Sequence, residues 1–470
     1  MSEKILFIAS ECTPFVKTGG LADVVGSLPQ VLNQKETTEV RVVLPLYQEI
    51  RENWSDDLEN VHSFPVSVGW RNQEATLYQL TYQGVVYYFI ENEYYFTRRG
   101  LYGYYDDGER FVFFCQAVIE ALSILPFQPN ILHGHDWQAG LAMAFAKIQK
   151  PIEHLRTVFT IHNIKYQGIM PLDVYHDLFH LPDGHISGLE WNGLLNCMKA
   201  GLFHADKITT VSPSYAKEIT TPYFGEGLYP IISEREEDVA GIVNGINVDD
   251  YNPQTDPHIP YPYSNIEENK NKTIIQEKLG LPVNSKKPLY VTITRLVEQK
   301  GLHLIQAIID EFLQEDVQFV LLGTGDSEFE DYFYHAAERN NDKLVAYLGF
   351  DEALARQLYA AADFFVMPSL FEPCGLSQLI SLQYKTIPIV RETGGLKDTI
   401  RPYNEYTKEG NGFSFTNYNA HDLLHVLQYS LQIFHDQEHW STILKNIDEG
   451  DSYSWTESAK SYHTLYQDML

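Results

Sequence analysis

The chain has 470 residues, 44% hydrophobic and 21% charged, which is typical of folded globular proteins rather than disordered ones. At about 100–200 residues per domain, this length predicts two large domains. The 63 acidic and 34 basic residues give a net charge of −29, which disfavours nucleic acid and anionic membranes as partners. A small anionic substrate could bind only where local cations and backbone N–H groups overcome this repulsion.

The start of the chain and its cysteines predict a cytoplasmic protein. The apolar run Ile5–Ile8 is short and lies between Glu3 and Glu11, so it lacks the pattern of a secretory signal. No apolar run reaches the roughly 18 residues that a membrane span needs. Neither a disulfide framework nor a paired-cysteine metal site is suggested by the scattered cysteines. These are Cys12, Cys115, Cys197 and Cys374.

The first half alternates predicted strands with helices, which indicates a parallel sheet covered on both faces. Predicted strands are Ile5–Ala9, Val40–Pro45, Ile131–His133, Val158–His162 and Ile208–Val211. A helix is predicted over Leu21–Leu32, and residues 74–95 alternate as an inserted antiparallel hairpin would. The polar, proline-containing stretch 247–271 interrupts the pattern and is predicted to be an interdomain linker.

The second half continues the same alternation. Predicted strands are Leu289–Thr294, Val317–Leu322, Leu344–Leu348, Phe364–Pro368 and Ile387–Val390. Predicted helices are Leu302–Leu313, Phe329–Arg339, Ala353–Ala362 and Leu376–Tyr384. The chain is therefore predicted to be an α/β protein with two Rossmann-like, doubly wound domains, 1–246 and 272–455.

A Gly-Gly turn occurs twice, each time just after a predicted strand. Lys17 and Thr18 precede Gly19 and Gly20 in the first copy, and Thr393-Gly394-Gly395 forms the second. Unhindered backbone N–H groups at the start of a helix suit a phosphate, and Lys17 adds a cation. The alternative is an ordinary tight turn that needs a positive φ.

The glycine patterns do not match the common nucleotide motifs. The spacing of a Walker loop is missing, and no dinucleotide fingerprint follows the first strand. Gly323 and Gly325 form a partial Gly-x-Gly match, which is weak support for NAD and fair support for a nucleotide loop at a strand end.

Three charged residues follow strands of the second half. Arg295 and Lys300 flank the loop after Leu289–Thr294, where open α/β sheets bind ligands, and both could contact a diphosphate. Solvated surface charges are the simpler explanation for either residue alone. Glu372 lies in an apolar turn between a strand and a helix, where it is either a functional carboxylate or a helix cap.

Two histidine-containing segments, His133–Trp137 and Thr160–Asn163, end strands of the first half. Either could suggest zinc, but no third and fourth ligands occur at regular spacing. No Asp-x-Asp pair, the usual signature of a metal-held nucleotide sugar, is present. No metal or other cofactor is therefore expected.

Together these segments resemble the bacterial glycogen synthases and plant starch synthases over nearly the whole chain. The matching segments are Lys17–Val24, His135–Trp137, Phe159–Asn163, Ile242–Ile246, Thr294–Gly301, Phe371–Gln378 and Thr393–Asp398. The resemblance implies a GT-B fold, with two domains facing across a deep cleft and a C-terminal helix, 456–470, that returns to the first domain. It also implies a retaining transfer of glucose from ADP-glucose to an α-1,4-glucan.

The resemblance also assigns roles to individual residues. Arg295 and Lys300 match the cations that meet the diphosphate, and Glu372 matches the essential carboxylate beside the donor sugar. His162 and Asp136 complete the predicted catalytic group. The predicted substrate-binding residues are Lys17, Gly19, Gly20, Tyr102, Asn163, Asn244, Gly323, Gly325, Phe350, Cys374, Gly375, Leu376, Thr393, Gly394 and Gly395.

Two departures and two alternative functions remain. Phe350 stands where the family often has a tyrosine beside the base, and Ile380 stands where related retaining transferases carry a second glutamate. The sequence leaves open a glucan phosphorylase-like enzyme and an inactive glucan-binding relative. It settles neither the choice between ADP-glucose and UDP-glucose nor the oligomeric state.

Overall fold

The computed structural model describes residues 2–150, 152 and 154–470. It divides the chain into two compact units. The first contains Met1–Asn244 and Trp455–Leu470, and the second contains Gly245–Ser454. Within the described ranges, no helix combines the length and apolar character needed to cross a membrane.

The first unit alternates strands with helices. Its strands are β1 (Glu3–Ile8), β2 (Thr38–Pro45), β3 (Glu59–Val68), β4 (Arg71–Tyr82), β5 (Val85–Glu91), β6 (Ile131–His135), β7 (Arg156–Ile161), β8 (Ile169–Pro171), β9 (Glu190–Trp191), β10 (Leu194–Asn196), β11 (Lys207–Thr210) and β12 (Val239–Gly241). Its helices before the second unit are α1 (Gly20–Leu32), α2 (Gln48–Trp54), α3 (Glu93–Phe96), α4 (Asp107–Ala121), α5 (Trp137–Ile148), α6 (Val174–Leu178), α7 (Cys197–His204), α8 (Pro213–Glu218) and α9 (Tyr229–Glu234). Short 3₁₀ helices lie at Ser55–Asp57, Asp183–Gly188 and Glu236–Asp238.

The main sheet of this unit has the strand order β12-β11-β7-β6-β1-β2-β5-β4-β3. Pairing is parallel from β12 to β5 and antiparallel along β5-β4-β3. The predicted strands and the first predicted helix are confirmed, with ends that differ by no more than two residues. Within the predicted hairpin 74–95, β4 and β5 are antiparallel and residues 93–95 begin α3; the hairpin is not an insertion, because β5 pairs with β2 and extends the main sheet. A separate small sheet has the order β8-β10-β9.

The second unit contains a parallel sheet with the strand order β15-β14-β13-β16-β17-β18. Its strands are β13 (Leu289–Ile293), β14 (Gln318–Gly323), β15 (Leu344–Leu348), β16 (Phe364–Met367), β17 (Ile387–Arg391) and β18 (Phe413–Phe415). Its helices are α10 (Asn271–Lys278), α11 (Leu302–Phe312), α12 (Ser327–Arg339), α13 (Glu352–Ala361), α14 (Ser377–Gln383), α15 (Gly394–Thr399), α16 (Ala420–His435) and α17 (Gln437–Asp448). Short 3₁₀ helices lie at Ile266–Glu268 and Glu298–Lys300.

Burial on both faces of this sheet follows from the alternation of side chains along each strand. Tyr290 and Phe319 belong to one buried apolar cluster, whereas their neighbours Val291 and Val320 belong to another. Helices are therefore needed on both sides. The apolar runs that predicted strands in the sequence are the strands of a doubly covered sheet.

The strand order reverses beside the first strand of each sheet. In the first unit, β2 lies on one side of β1 and β6 on the other, and in the second unit β14 and β16 flank β13 in the same way. Connections on the two sides of such a strand diverge and leave a crevice at the carboxyl ends of the strands. Ligand sites are therefore expected after β1 and β6, and after β13 and β16.

The stretch 247–271 differs from the linker that the sequence predicted, because it packs within the second unit. Ile259 and Tyr263 are buried in its core, and the Tyr263 hydroxyl donates to the backbone oxygen of Tyr384 at 2.7 Å. Asp256 is also buried and accepts a hydrogen bond from the hydroxyl of Tyr384. The polar composition is therefore that of a loop whose buried side chains anchor it to the core of the second unit. It is not that of a flexible linker between domains.

The last helix, α18 (Trp455–Met469), lies in the first unit and packs against α1. His463 Nδ1 lies 2.9 Å from Glu3 Oε2, and the Ser458 hydroxyl donates to the Val243 carbonyl at 2.7 Å. Tyr462 and Tyr466 are fully buried. Buried apolar area and buried hydrogen bonds thus hold this helix in place.

We expect Tyr462→Ala to destabilise the first unit by about 3–5 kcal/mol, the range for deleting a large buried aromatic side chain. Lys460→Ala is the matched control, because Lys460 is exposed on the same helix. Chemical denaturation monitored by circular dichroism measures both. Equal stability of the two variants would contradict the buried packing of α18.

Candidate functional site

The loop after β1 is organised around the carboxylate of Glu11. This carboxylate accepts hydrogen bonds from the backbone N–H groups of Thr18 at 2.5 Å and Gly19 at 3.2 Å. It also accepts from the hydroxyls of Thr18 at 2.6 Å and Tyr102 at 2.7 Å. An internal anion therefore occupies N–H groups that the sequence assigned to a phosphate.

Lys17 and the first Gly-Gly turn lie at the start of α1, as the sequence predicted. The Lys17 ammonium makes a partly exposed ion pair with Asp23 at 2.8 Å. Gly19 is extended, with φ −153°, and a Cβ there would meet no atom within 4 Å. The first turn therefore has open space beside its backbone rather than a positive φ to accommodate.

Asp136 follows β6 and holds the residues that follow β7. It has an unusual φ of 57° and occupies the N-cap position of α5, where its side chain makes no hydrogen bond to the helix. Its Oδ1 accepts from the backbone N–H of His162 at 2.7 Å and of Asn163 at 3.4 Å. The three predicted residues thus meet at the carboxyl ends of two neighbouring strands.

Burial shifts the pKa values of Asp136 and His162. It raises the pKa of Asp136 to about 7, although the N–H groups of His162 and Asn163 act in the opposite direction. Burial also lowers the pKa of His162 to about 3. Near neutral pH, His162 is therefore uncharged and Asp136 is close to its titration midpoint.

His133 and His135, on β6, are fully buried and already have partners. His133 contacts the Tyr466 hydroxyl at 2.7 Å through Nδ1 and the Thr160 hydroxyl at 2.6 Å through Nε2. His135 Nδ1 lies 3.0 Å from His162 Nε2. Among the described residues, no group of three His, Cys, Asp or Glu side chains could hold a metal ion.

Tyr102 and Asn244 complete the predicted residues of the first unit. The Tyr102 hydroxyl bonds to Glu11 and lies 2.7 Å from the Ser10 hydroxyl, so Tyr102 fixes the end of β1. Burial raises the pKa of Tyr102 well above its usual value, so the phenol is neutral. Asn244 is buried, and within the described part of the chain its Oδ1 has no hydrogen-bond partner.

In the second unit, Lys300 and Glu372 form a largely buried ion pair. The Lys300 ammonium lies 2.6 Å from Glu372 Oε2, which also accepts from the Ser369 hydroxyl at 3.1 Å. Arg295, after β13, is exposed and makes no ion pair with any described residue. The carboxyl ends of β13 and β16 thus carry two cations. The charge of Lys300 is balanced by Glu372, whereas Arg295 has no ion-pair partner among the described residues.

The second Gly-Gly turn packs directly on the backbone that carries Glu372. Gly394 has φ 45°, and a Cβ there would lie 2.0 Å from the Glu372 carbonyl oxygen. The Gly395 N–H donates to the carbonyls of Glu372 and Pro373, each at 3.1 Å. Close backbone approach therefore requires glycine here and fixes the position of the Glu372 loop.

The remaining predicted residues lie at or after the carboxyl ends of strands of the same sheet, from β14 to β17. A Cβ on Gly323 would lie 1.9 Å from the Thr294 carbonyl oxygen, and one on Gly325 would lie 2.3 Å from that of Leu296. The side chain of Phe350, after β15, is 87% exposed. Cys374, Thr393, Gly375 and Leu376 lie in or beside the turns that precede α14 and α15.

The sequence missed Glu11, His135 and Ser369, which hold predicted residues in place. His135 lies within the segment His135–Trp137, whereas Glu11 precedes Lys17 and Ser369 precedes Glu372, outside the segments that carried predicted residues. Position immediately after a strand was the available signal for Glu11. Ser369 bonds to Glu372 within the same loop, whereas His135 meets His162 from 27 residues away and Glu11 meets Tyr102 from 91 residues away, so those two contacts have no local pattern.

Two Rossmann-like units, each with its chemistry-bearing residues at a reversal of strand order, define a GT-B glycosyltransferase. Residues 4–234 match the family model of the starch synthase catalytic domain, and residues 272–444 match that of group 1 glycosyl transferases. The chain is a retaining glucosyltransferase that uses a nucleotide sugar.

Similarity over the full length identifies the family. The chain is 58% identical to a glycogen synthase of Oceanobacillus iheyensis and 49% identical to one of Bacillus subtilis, covering 99% of this chain and 98% of each relative. The catalytic domain of starch synthase IV from Arabidopsis thaliana, bound to ADP and acarbose, is 31% identical, with a TM-score of 0.89 over 100% of this chain and 99% of that chain. The chain belongs to the glycogen synthase and starch synthase family. The phosphorylase-like alternative is therefore set aside.

We expect Asp136→Asn to stabilise the protein increasingly as pH rises from 5 to 8. A raised carboxyl pKa means that the folded state binds the proton more tightly than the unfolded state, so Asp136 costs stability as pH rises from about 4 to about 7. The amide removes this titration. Melting temperatures of the variant and of wild type, measured at each pH, test this prediction. Asp57→Asn, at an exposed carboxylate, is the reference variant. A difference from wild type that stays constant with pH would contradict the prediction.

Proposed function

We propose that the chain transfers glucose from ADP-glucose to the non-reducing end of an α-1,4-glucan. The observation that carries this proposal is the Lys300–Glu372 ion pair at the carboxyl ends of β13 and β16, with Arg295 exposed in the same loop as Lys300. Two cations beside one buried carboxylate suit a diphosphate next to a sugar. We also propose that the enzyme acts in the cytoplasm, where its buried free thiols stay reduced.

The local charges support binding of an anionic donor in spite of the acidic chain. A nucleoside diphosphate leaves with about two to three negative charges, and fixed cations stabilise such charge best where water is excluded. We assign Arg295 and Lys300 to this task, with Lys17 as a third cation. No divalent metal is then required.

Glu372 is assigned to the donor sugar as a positioning carboxylate rather than as a nucleophile. Lys300 and Ser369 both bind Oε2, which holds the side chain in one orientation. Retention follows if the acceptor hydroxyl attacks from the face that the diphosphate leaves. The departing phosphate then takes the proton of the acceptor hydroxyl.

One observation favours adenine over uracil in the donor. The starch synthase IV structure with a TM-score of 0.89 is a complex with ADP. The exposed ring of Phe350 offers a stacking surface to either base and does not choose between them. UDP-glucose is the competing donor in the test.

Initial rates with a soluble α-1,4-glucan test the donor and the metal together. We expect turnover of ADP-glucose to exceed that of UDP-glucose, and to be the same in excess EDTA as with added magnesium. Greater turnover of UDP-glucose would contradict the donor assignment. Collapse of the rate in EDTA, restored by magnesium, would show that the protein cations are insufficient. Binding of glucan without turnover of either donor would instead indicate an inactive relative.

We expect Arg295→Ala to lower kcat by about 10²–10³, the usual cost of removing one fixed group that stabilises charge in a transition state. Stability should not change, because Arg295 is exposed and makes no ion pair with a described residue. Lys300→Ala should lower both kcat and stability, since it leaves the Glu372 carboxylate buried without its cation. Arg339→Ala, at an exposed arginine on α12, is the control. Unchanged kcat in Arg295→Ala would refute its assigned role.

A further inference from the structure

The side chain of His162 is held by its neighbour on the adjacent strand. Its Nε2 lies 3.0 Å from His135 Nδ1, while its backbone N–H donates to Asp136. Two consecutive residues at the end of β6 therefore fix both the backbone and the ring of His162. Among the described residues, the ring Nδ1 of His162 has no hydrogen-bond partner.

Both imidazoles are neutral, so each carries a single N–H. Burial lowers the pKa of His135 well below its usual value and that of His162 to about 3. One of the two facing nitrogens must donate and the other must accept. The direction of this hydrogen bond decides which nitrogen of His162 carries its proton.

The burial of His135 selects the direction. Its Nε2 is buried and has no partner within the described residues. If His162 donated, the proton of His135 would lie on this Nε2, as a buried N–H without an acceptor. If His135 donates from Nδ1, only a lone pair is left unpaired there. Buried unpaired N–H groups are the rarer defect in folded proteins, which favours donation by His135.

We infer that His135 is a positioning residue that donates its Nδ1–H to His162 and thereby keeps the proton of His162 on Nδ1. His162 then presents an N–H donor to its ligand, and so binds an acceptor such as a sugar hydroxyl oxygen. The ligand part of this inference rests on the proposed function, in which His162 contacts the donor glucose. The tautomer itself is a property of the free protein.

Nitrogen-15 NMR of the full chain, labelled at histidine, measures the tautomer without any substrate. We expect the His162 signals, identified by their loss in His162→Gln, to show a protonated Nδ1 and a bare Nε2. A proton on Nε2 would overturn the inference. This result stands whether or not the protein turns over ADP-glucose, so failure of the proposed function is seen separately.

Kinetics then test the consequence with two variants of His135. We expect His135→Leu to lower kcat by about ten- to hundred-fold, taking as the scale the effect of removing a group that orients a metal-binding histidine. His135→Asn should recover much of this loss, because the asparagine amide can place an N–H donor close to the position of Nδ1. Equal activity of the two variants would count against the donor role.

A stability control separates positioning from packing. Tyr466→Phe removes a hydroxyl that is buried 2.7 Å from His133 Nδ1 and makes no contact with His162. We expect this variant to lose stability and keep its kcat. A loss of kcat as large as that of His135→Leu would show that His135 matters only for packing. If His135→Leu does not fold, the tautomer measurement and His135→Asn still decide the question.

Discussion

The reversal of strand order beside β1 and β13 is the constraint on which the ligand crevice of each unit depends. Adjacent connections run in opposite directions around these strands, so the loops at their carboxyl ends separate and leave room for a ligand. Glu11 follows β1 and Glu372 follows β16, while Asp136 and His162 follow β6 and β7. The predicted site residues thus lie on loops whose ends are fixed by buried strands.

Charge is distributed unevenly between these loops. A chain with a net charge of −29 repels an anionic donor over most of its surface, so the few cations at the strand ends determine where one can bind. Lys300 is already paired with Glu372, whereas Arg295 is exposed to any incoming anion. A buried pair contributes little net stability, but it fixes the positions of both groups.

Burial gives the first unit a different character. The three histidines at the ends of β6 and β7 are uncharged, because desolvation disfavours imidazolium. Hydrogen bonds to hydroxyls and between the imidazoles hold these histidines in position, and all of the groups that take part are uncharged. Such a site suits a neutral sugar, in contrast to the cationic strand ends of the second unit.

The sequence by itself determined the strands, the helices that join them and the segments at which the site residues occur. The apolar run Leu289–Ile293 and the helical periodicity of Leu302–Phe312 both reflect which side chains are buried. Such local patterns can be identified from the sequence without knowledge of the tertiary structure. The family resemblance supplied the roles of Glu372 and His162. Sequence therefore sufficed for the class of protein, whereas the site roles that it assigned stay predictions.

Only the tertiary structure decided which groups contact one another. Glu11 meets Tyr102 from 91 residues away, and Lys300 meets Glu372 from 72 residues away. The stretch 247–271 has the composition of a linker, yet buried contacts such as that of Tyr263 with Tyr384 anchor it to a core. Composition records the polarity of a segment but not the partners available to it. Those partners are fixed by strand order and burial, which arise only when distant parts of the chain pack together.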